Sequence, residues 1–196
     1  MSEIRHALIV DDLAATRGWL RQALNLAFSD LQIEEAETLA QARMRARVTP
    51  PDLALIDLRL PDGHGTALIR ELRRTRPQAL SVVPTIFDDD GYLFGALCAG
   101  AAGYLLKDHA LPRLAQALRA IVDGQPPLSP PLSRRLLQLA SQQRLLLDTS
   151  QRTLLQLRAR GATAAEAAQG AGLEPDAANA TLRTVYARLS ELDDGA

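Results

Sequence analysis

This 196-residue sequence lacks several features, and each absence excludes a class of protein. A single cysteine, Cys98, excludes an internal disulfide framework and predicts a reducing compartment. Charge of one sign is not in excess: 22 basic and 23 acidic residues leave a net charge of -1, which excludes a wholly basic nucleic-acid-binding chain. Apolar runs fall short of the ~20 residues that span a bilayer, and the first residues lack a signal-peptide pattern. We therefore expect a soluble, cytoplasmic protein without membrane contacts.

Lysine is the scarcest charged residue, since Lys107 is the only lysine among the 22 basic residues. Because every other basic residue is an arginine, this single lysine suggests a specific role for Lys107. The arginines of two helical segments are interpreted as solvated helix faces. They are Arg43, Arg45 and Arg47 in the first segment and Arg70, Arg73, Arg74 and Arg76 in the second. Apolar residues, at 47%, are abundant enough for a sizeable core.

Short apolar runs alternate with helical patterns through the first two thirds of the chain. Strands are predicted over residues 7–10, 31–36, 53–57, 80–87 and 103–106. Amphipathic segments follow each of them, for example with Leu111, Leu114, Leu118 and Ile121 on one helix face. Fivefold alternation of this kind predicts parallel strands with right-handed crossovers, so residues 1–123 are expected to form a doubly wound α/β domain.

The second part of the chain has a different pattern. Prolines at 126–127 and 130–131 predict a stiff linker, followed by a connector helix, over residues 124–146. Residues 147–196 contain only helical patterns, with helices expected over residues 150–159, 164–169 and 175–192. A short helix, a glycine-containing turn and a longer helix predict a helix-turn-helix.

Polar side chains stand where the predicted strands end. Asp11 and Asp12 follow the first strand, Asp57 ends the third, Thr85 is late in the fourth, and Lys107 follows the fifth. The carboxyl ends of parallel strands meet at one rim, where ligands bind. Carboxylates that converge repel one another, so this rim calls for a hard cation, Mg²⁺ or Mn²⁺. An aspartate beside such a cation can accept a phosphoryl group, which an ammonium and a hydroxyl group can then bind.

These residues lie within motifs that resemble a known family. The segments ALIVDD (7–12), ALIDLRLPDGHG (54–65) and GAAGYLLKD (100–108), together with Thr85, resemble the receiver domains of two-component response regulators over about residues 5–123. The resemblance implies a flavodoxin-like, CheY-like fold with a five-stranded parallel sheet. It also implies that a sensor histidine kinase phosphorylates Asp57. The chain would then catalyse only its own phosphoryl transfer and dephosphorylation, and would not be an enzyme acting on other substrates.

The same resemblance implies roles for the neighbouring residues. Asp12 and the backbone carbonyl of Arg59 would bind the metal ion directly together with Asp57, and Asp11 would act through water or as a second ligand. Thr85 and Lys107 would contact the phosphoryl group. Tyr104 would be the aromatic side chain that moves inward when Thr85 moves.

Residues 147–189 resemble the LuxR-type helix-turn-helix of the NarL/FixJ subfamily, mainly through the segment 161–189. The scaffold positions Glu166, Leu182 and Tyr186 match the family pattern. Asn179 and Thr181 replace the lysine and histidine that the recognition helix usually carries. The resemblance implies binding to duplex DNA through Asn179, Thr181, Arg183, Thr184 and Arg188. It also implies a homodimer on activation, with the last helix supplying contacts through Leu189 and Leu192.

Two alternatives remain open from the sequence. Residues 147–196 carry five arginines against seven acidic residues, and the resulting charge of -2 has the wrong sign for DNA. The C-terminal helices could therefore belong to a phosphorylation-gated protein-interaction module that has lost DNA binding. A phosphate-transferring enzyme of the haloacid dehalogenase kind is disfavoured, because Asp11-Asp12-Leu13-Ala14 lacks its second carboxylate two positions on.

Overall fold

A computed structural model describes residues 4–85, 91–142 and 144–193 of the chain. The strands are β1 (His6–Val10), β2 (Gln32–Ala36), β3 (Leu53–Ile56), β4 (Arg59–Leu60), β5 (Gly63–His64), β6 (Leu80–Thr85) and β7 (Gly103–Leu106). The helices are α1 (Ala14–Ala27), α2 (Leu39–Val48), α3 (Gly65–Thr75), α4 (Gly91–Cys98), α5 (Leu111–Val122), α6 (Pro130–Ser141), α7 (Thr149–Ala159), α8 (Ala164–Gly170) and α9 (Pro175–Asp193).

Five of the strands form a parallel sheet in the order β2-β1-β3-β6-β7. Successive side chains of a strand point to opposite faces, so β1 contributes to two cores. Leu8 and Val10 pack in the cluster that α2, α3 and α4 complete, whereas Ala7 and Ile9 pack with α1 and α5. Helices cover both faces, which is why the central strand β3 is apolar throughout. The predicted doubly wound fold is confirmed.

The hairpin of β4 and β5 was not predicted, because two-residue strands are too short to show a periodic pattern. The fourth sheet strand was predicted to reach residue 87. In the structure β6 ends at Thr85, and residues 86–87 lie outside the described residues.

The second proline pair of the predicted linker begins the helix that follows it. Residues 130 and 131 do not belong to an extended segment but are the first residues of α6. Proline is well suited to the first turn of a helix, where its missing N–H is not needed. Ser129 completes this start, because its side chain accepts a hydrogen bond from the backbone N–H of Leu132.

The C-terminal helices do not stand apart from the sheet. Helix α9 packs on α4, and buried side chains of α6 and α9 join the same apolar cluster as the α4 face of the sheet, among them Leu136 and Val185. Arg135 of α6 also lies over the ring of Phe94 in α4, with 5.4 Å from its guanidinium carbon to the ring centroid. In the part of the chain that the structure describes, every helix is too short or too polar to cross a membrane.

Candidate functional site

Strand register brings the predicted rim residues to one edge of the sheet. Val10 pairs with Ile56 across β1 and β3, and Thr85 pairs with Leu106 across β6 and β7. Each next residue along the chain therefore emerges at the same carboxyl-end edge. Asp11, Asp57 and Lys107 occupy these positions.

Lys107 lies between two carboxylates. Its Nζ donates to Asp11 Oδ2 at 3.0 Å and to Asp57 Oδ1 at 2.8 Å. The Asp11 side chain is only 2% exposed, whereas that of Asp57 is 18% exposed. The carboxylate of Asp57 is therefore the one of the two that a phosphoryl donor can approach from solvent.

The remaining oxygens of these carboxylates are held by the backbone. Asp11 Oδ1 accepts from the N–H of Leu13 at 3.0 Å, and Asp57 Oδ2 accepts from the N–H of Arg59 at 2.8 Å. Gly65, at the start of α3, closes the turn after Asp57. A Cβ there would lie 2.2 Å from the carbonyl oxygen of Asp57, so only glycine allows this approach. Both carboxylates are thus fixed before any ligand binds.

The electrostatics of the site depend on Lys107. Desolvation by burial on its own lowers the pKa of Lys107, but the hydrogen bonds and charges of Asp57 and Asp11 outweigh it and leave the pKa raised above 10.5. The ammonium group is therefore charged at neutral pH and balances part of the charge of the two aspartates.

Hard oxygen donors at this rim fit a magnesium or manganese ion. Two fixed carboxylates already bind one cationic group, and Asp12 lies beside them with an exposed side chain. The sequence predicted that three carboxylates converge, but their side chains do not do so in this structure. Across residues 4–85, 91–142 and 144–193, no three His, Cys, Asp or Glu side chains lie close enough together to hold a metal ion. Asp11, Asp57, the outward-facing Asp12 and the backbone carbonyl of Arg59 are the groups available to an ion.

The two predicted switch residues lie on neighbouring strands. The carbonyl oxygen of Thr85 accepts from the backbone N–H of Lys107 at 2.7 Å, which joins the ends of β6 and β7. Tyr104 pairs with Val83 in the register of these strands and is 6% exposed. Tyr104 is therefore already directed inward, in the apolar cluster that includes α9.

Sequence reasoning missed Arg17, which is 7% exposed and lies directly behind the rim. Its Nη1 donates to the carbonyl oxygens of Asp11 at 2.9 Å and Asp12 at 3.2 Å. Its other nitrogens bind Glu35 at 3.1 Å and Glu37 at 2.6 Å. Arg17 thereby fixes the backbone of both acidic residues. The available signal was a lone basic residue at a helix position that periodicity assigns to the buried side.

Arg17 is held by a second arginine through the same acid. Arg21 binds Glu35 at 2.7 Å. Burial alone raises the pKa of Glu35, but the bonds from Arg21 and Arg17 outweigh it and hold the pKa below its ordinary value of 4.5. The carboxylate is therefore charged at neutral pH and keeps Arg17 in place.

The model of the response regulator receiver domain matches residues 7–119, more than half of the chain. The chain belongs to this family. Among curated proteins, the DNA-binding transcriptional activator DevR/DosR of Mycobacterium tuberculosis is 33% identical over 120 residues, which are 60% of this chain and 54% of that protein. The KDP operon transcriptional regulatory protein KdpE of Escherichia coli is 38% identical over 118 residues, 58% of this chain and 49% of that protein. The chain thus spans about half the length of these relatives.

Solved structures confirm the receiver fold. A CheY-like receiver domain protein from Methanospirillum hungatei is 26% identical with a TM-score of 0.55, covering 62% of this chain and 95% of that chain. RcsB of Salmonella typhimurium covers 100% of this chain and 98% of its own, with 20% identity and a TM-score of 0.58. At that identity the likeness shows the fold alone. The match of the receiver family model ends at residue 119, so it does not extend to α6–α9.

Local hydrogen bonds explain the helix starts of the C-terminal part. Thr163 and Glu166 form a reciprocal capping box at α8, and these hydrogen bonds to Thr163 hold the pKa of Glu166 below 4.5. Asp148 and Gln151 form the same motif at α7. Gln151 and Glu166 therefore stabilise the first turns of α7 and α8, which is a structural role.

The predicted DNA-contacting arginines lie against the protein in this structure. Arg183 donates to the carbonyl oxygen of Gly124, which follows α5. Arg188 donates to the carbonyl of Leu146 at 2.8 Å and to Gln151 Oε1 at 3.2 Å. The other predicted DNA contacts lie on the same helix: Thr184 donates to the Ala180 carbonyl within α9, and Asn179 and Thr181 are half-buried.

Helix α9 is anchored on α3 and on the segment between α5 and α6. The Tyr186 hydroxyl donates to the carbonyl oxygen of Pro127, and Arg73 of α3 donates to the carbonyl of Ser190 at 3.2 Å. Burial raises the pKa of Tyr186 well above 10.0, and the nearby Tyr104 adds to the shift. The Tyr186 side chain is therefore neutral in the docked helix, and it lies near the buried Tyr104.

One predicted dimer contact is wrong. Leu189 was expected to be exposed, but it is 0% exposed and packs in the core between α9 and the rest of the molecule. The helical period places it on the same side as Leu182 and Val185, and that side is covered by the receiver fold and α7. The side chain of Leu192 lies outside the described part of the structure.

Proposed function

We propose that this chain is a two-component response regulator in which a sensor histidine kinase phosphorylates Asp57. The observation that supports this most is the bridge from Lys107 Nζ to Asp11 at 3.0 Å and to Asp57 at 2.8 Å. It places one partly exposed carboxylate beside a fixed ammonium group and a buried second acid. Such a rim offers a nucleophilic oxygen together with a cationic group for the oxygens of the arriving phosphoryl group.

In the proposed transfer, a carboxylate oxygen of Asp57 forms a bond to phosphorus. The bond from phosphorus to the kinase imidazole nitrogen breaks, and its electron pair stays on that nitrogen. Lys107 moves from Asp57 Oδ1 to a phosphoryl oxygen, and the Thr85 hydroxyl binds another. Asp57, Asp12, Asp11 and the Arg59 carbonyl would hold Mg²⁺ or Mn²⁺, which would supply positive charge to offset that of the phosphoryl oxygens.

Control of the output follows from where α9 is docked. Thr85 is tied to Lys107 through the backbone, and Tyr104 lies two residue pairs away in the same ladder. A change at the rim therefore reaches the surface that holds Tyr186. We propose a two-state shift in which phosphorylation weakens this docking, and in which the released helices form a homodimer that binds duplex DNA.

Labelling of Asp57 tests the first step. The purified chain is incubated with acetyl phosphate and Mg²⁺, and the mass of the intact protein is measured. The wild type should gain one phosphoryl group that hydroxylamine removes, whereas Asp57→Asn should gain none because an amide is not a nucleophile of this kind. Asp30→Asn is the matched control, since Asp30 is exposed at a left-handed position that asparagine tolerates. Hydroxylamine-sensitive label in Asp57→Asn would show that another residue is the acceptor.

DNA binding is the favoured output, supported by the description of the 33% identical relative as a DNA-binding activator. The second candidate is a protein-interaction module, which is favoured by the charge of -2 over residues 147–196. Fluorescence anisotropy with a mixed-sequence duplex, with and without beryllofluoride, separates them. A DNA-binding protein should bind with a Kd of roughly 10⁻⁴ to 10⁻⁶ M or tighter, more strongly when activated and less at high salt. Folded protein that binds no duplex in either state would favour the protein-interaction module.

A further inference from the structure

A groove lies between the C-terminal ends of α2 and α3, at the edge of the sheet opposite Asp57. Its volume is about 410 Å³, within the range of small-ligand sites. Asp52 directly precedes β3 at this edge, and Asp57 follows β3 at the other. Five residues of extended chain separate them by about 16 Å. The groove is therefore distinct from the phosphorylation rim.

Positive charge dominates the groove. Its lining includes the four arginines Arg43, Arg47, Arg74 and Arg76, whereas Glu71 is the only acid among the lining residues that the structure describes. Glu71 is already engaged, because it accepts from Arg43 Nε at 2.8 Å. Arg47 and Arg74 are exposed and form no ion pair with any described residue. Three positive charges are thus left without a carboxylate of the groove to balance them.

Arg76 adds a second, independent observation. Its Nε is fully buried and has no hydrogen-bond partner within the described residues. Its Nη2 is 3.9 Å from Asp52 Oδ1, the outer limit of an ion pair. The other Asp52 oxygen accepts from the backbone N–H groups of Arg5 and His6, each at 3.0 Å. A buried donor without an acceptor is unfavourable, so the present partners do not satisfy the Arg76 guanidinium. Its side chain is 36% exposed and can turn toward an oxyanion in the groove.

Helix dipoles explain only part of this arrangement. Arg47 lies in the last turn of α2 and Arg74 in that of α3, where cations are favoured by the carbonyl ends of the helices. The dipole accounts for basic residues at each helix end separately. It does not account for the orphan Nε of Arg76 or for four arginines on one concave surface.

We infer that this groove binds the phosphate groups of a polyphosphate-bearing ligand through Arg47, Arg74 and Arg76. The planar guanidinium group binds two phosphate oxygens at once, which a lysine cannot do. Adjacent phosphates can occupy neighbouring arginines of the two helices. The phosphates can come from a small polyphosphate or from a nucleic-acid backbone.

Calorimetric titration of the full chain with inorganic tripolyphosphate tests the site. Divalent cations are omitted, because tripolyphosphate chelates them. The wild type should bind one equivalent, and Arg47→Ala and Arg74→Ala should each weaken binding about tenfold. Arg76→Lys should weaken it to a similar degree, since lysine keeps the charge but lacks the planar guanidinium that binds two phosphate oxygens at once. Glu71→Gln should tighten binding severalfold, because it removes the only competing acid while it can still hydrogen-bond to Arg43.

Arg152→Ala is the matched control, since Arg152 is exposed on α7 far along the chain from the groove. Its affinity should equal that of the wild type, and labelling of Asp57 should be the same in every variant. A mixed-sequence duplex that displaces tripolyphosphate would identify a nucleic-acid backbone as the source of the phosphates, and failure to displace it would identify a small polyphosphate. Absence of tripolyphosphate binding to the wild type, or an equal loss in Arg152→Ala, would overturn the proposal.

Discussion

The rim around Asp57 and the docked helix α9 differ in how they are built. Rim residues stand at strand ends, so the register of a parallel sheet fixes their positions. The side chains of α9 that were expected to contact DNA depend instead on how one helix lies on another. Arg183 and Arg188 are directed to backbone carbonyl groups of the same molecule. A site whose residues are positioned by strand register is preorganised. The positions of the α9 side chains instead depend on where that helix is docked.

The difference also appears in the charges. At the rim, Lys107 balances two aspartates, and Arg17 holds the backbone behind them with two further acids. On α9, hydrogen bonds to neutral carbonyls hold the arginines. Buried networks of charge resist change, while exposed hydrogen bonds exchange with water at little cost.

The largest effect is expected at the rim. Arg17→Met keeps the apolar stem but removes every hydrogen bond to Asp11, Asp12, Glu35 and Glu37. We expect a loss of about 3 kcal/mol in the free energy of unfolding, measured by urea titration. Affinity for beryllofluoride should also fall, because the backbone of Asp11 and Asp12 is no longer fixed.

Arg21→Met is the control for this comparison. Its side chain is 43% exposed and shares Glu35 with Arg17, so its loss should cost less than about 1 kcal/mol. Equal destabilisation by the two substitutions would mean that the rim is no more rigid than the surface.

An intermediate effect is expected where α9 meets the segment between α5 and α6. Tyr186→Phe removes the hydrogen bond to the Pro127 carbonyl, and we expect a loss of about 1 kcal/mol in the free energy of unfolding. The raised pKa of Tyr186 adds a pH dependence. Its contribution is fully present below the ordinary value of 10.0 and is lost as the pH rises toward the higher pKa of the folded state.

Urea titrations from neutral to alkaline pH measure this dependence. Lys107 also has a raised pKa, so its contribution is likewise lost only above 10.5, in the wild type and the variant alike. The difference between wild type and Tyr186→Phe should therefore shrink as the pH rises above 10. A difference that stays constant over that range would show that the phenol is not held neutral by docking.

The smallest effect is expected for Arg183→Ala. The guanidinium is exposed, so losing its bond to the Gly124 carbonyl should cost less than about 1 kcal/mol. If the released helix binds DNA through this residue, the slope of log affinity against log salt concentration should fall by ~0.9. Arg160→Ala, at an exposed position after α7, should change neither quantity. An unchanged salt slope in Arg183→Ala would remove Arg183 from the DNA interface.

The rim could be predicted from the sequence because strand periodicity and strand-end residues determine it. Asp57 and Lys107 meet because each directly follows a strand of the sheet. Arg17 could not be predicted, since a helical arginine gives no sign of which acids it will reach across β2. The burial of Leu189 was missed for a related reason: helical periodicity gives the apolar face of α9 but not the element that covers it.

The apolar cluster shared by the sheet and α9 has a thermodynamic consequence. Leu97 and Tyr104 from the receiver fold lie in the same cluster as Leu136 and Val185 from the C-terminal helices. Melting either part exposes apolar surface of the other, so the two parts should lose structure in one cooperative transition rather than in two. The same continuity limits modularity, because exchanging these C-terminal helices for those of another regulator would leave unmatched surfaces on both sides.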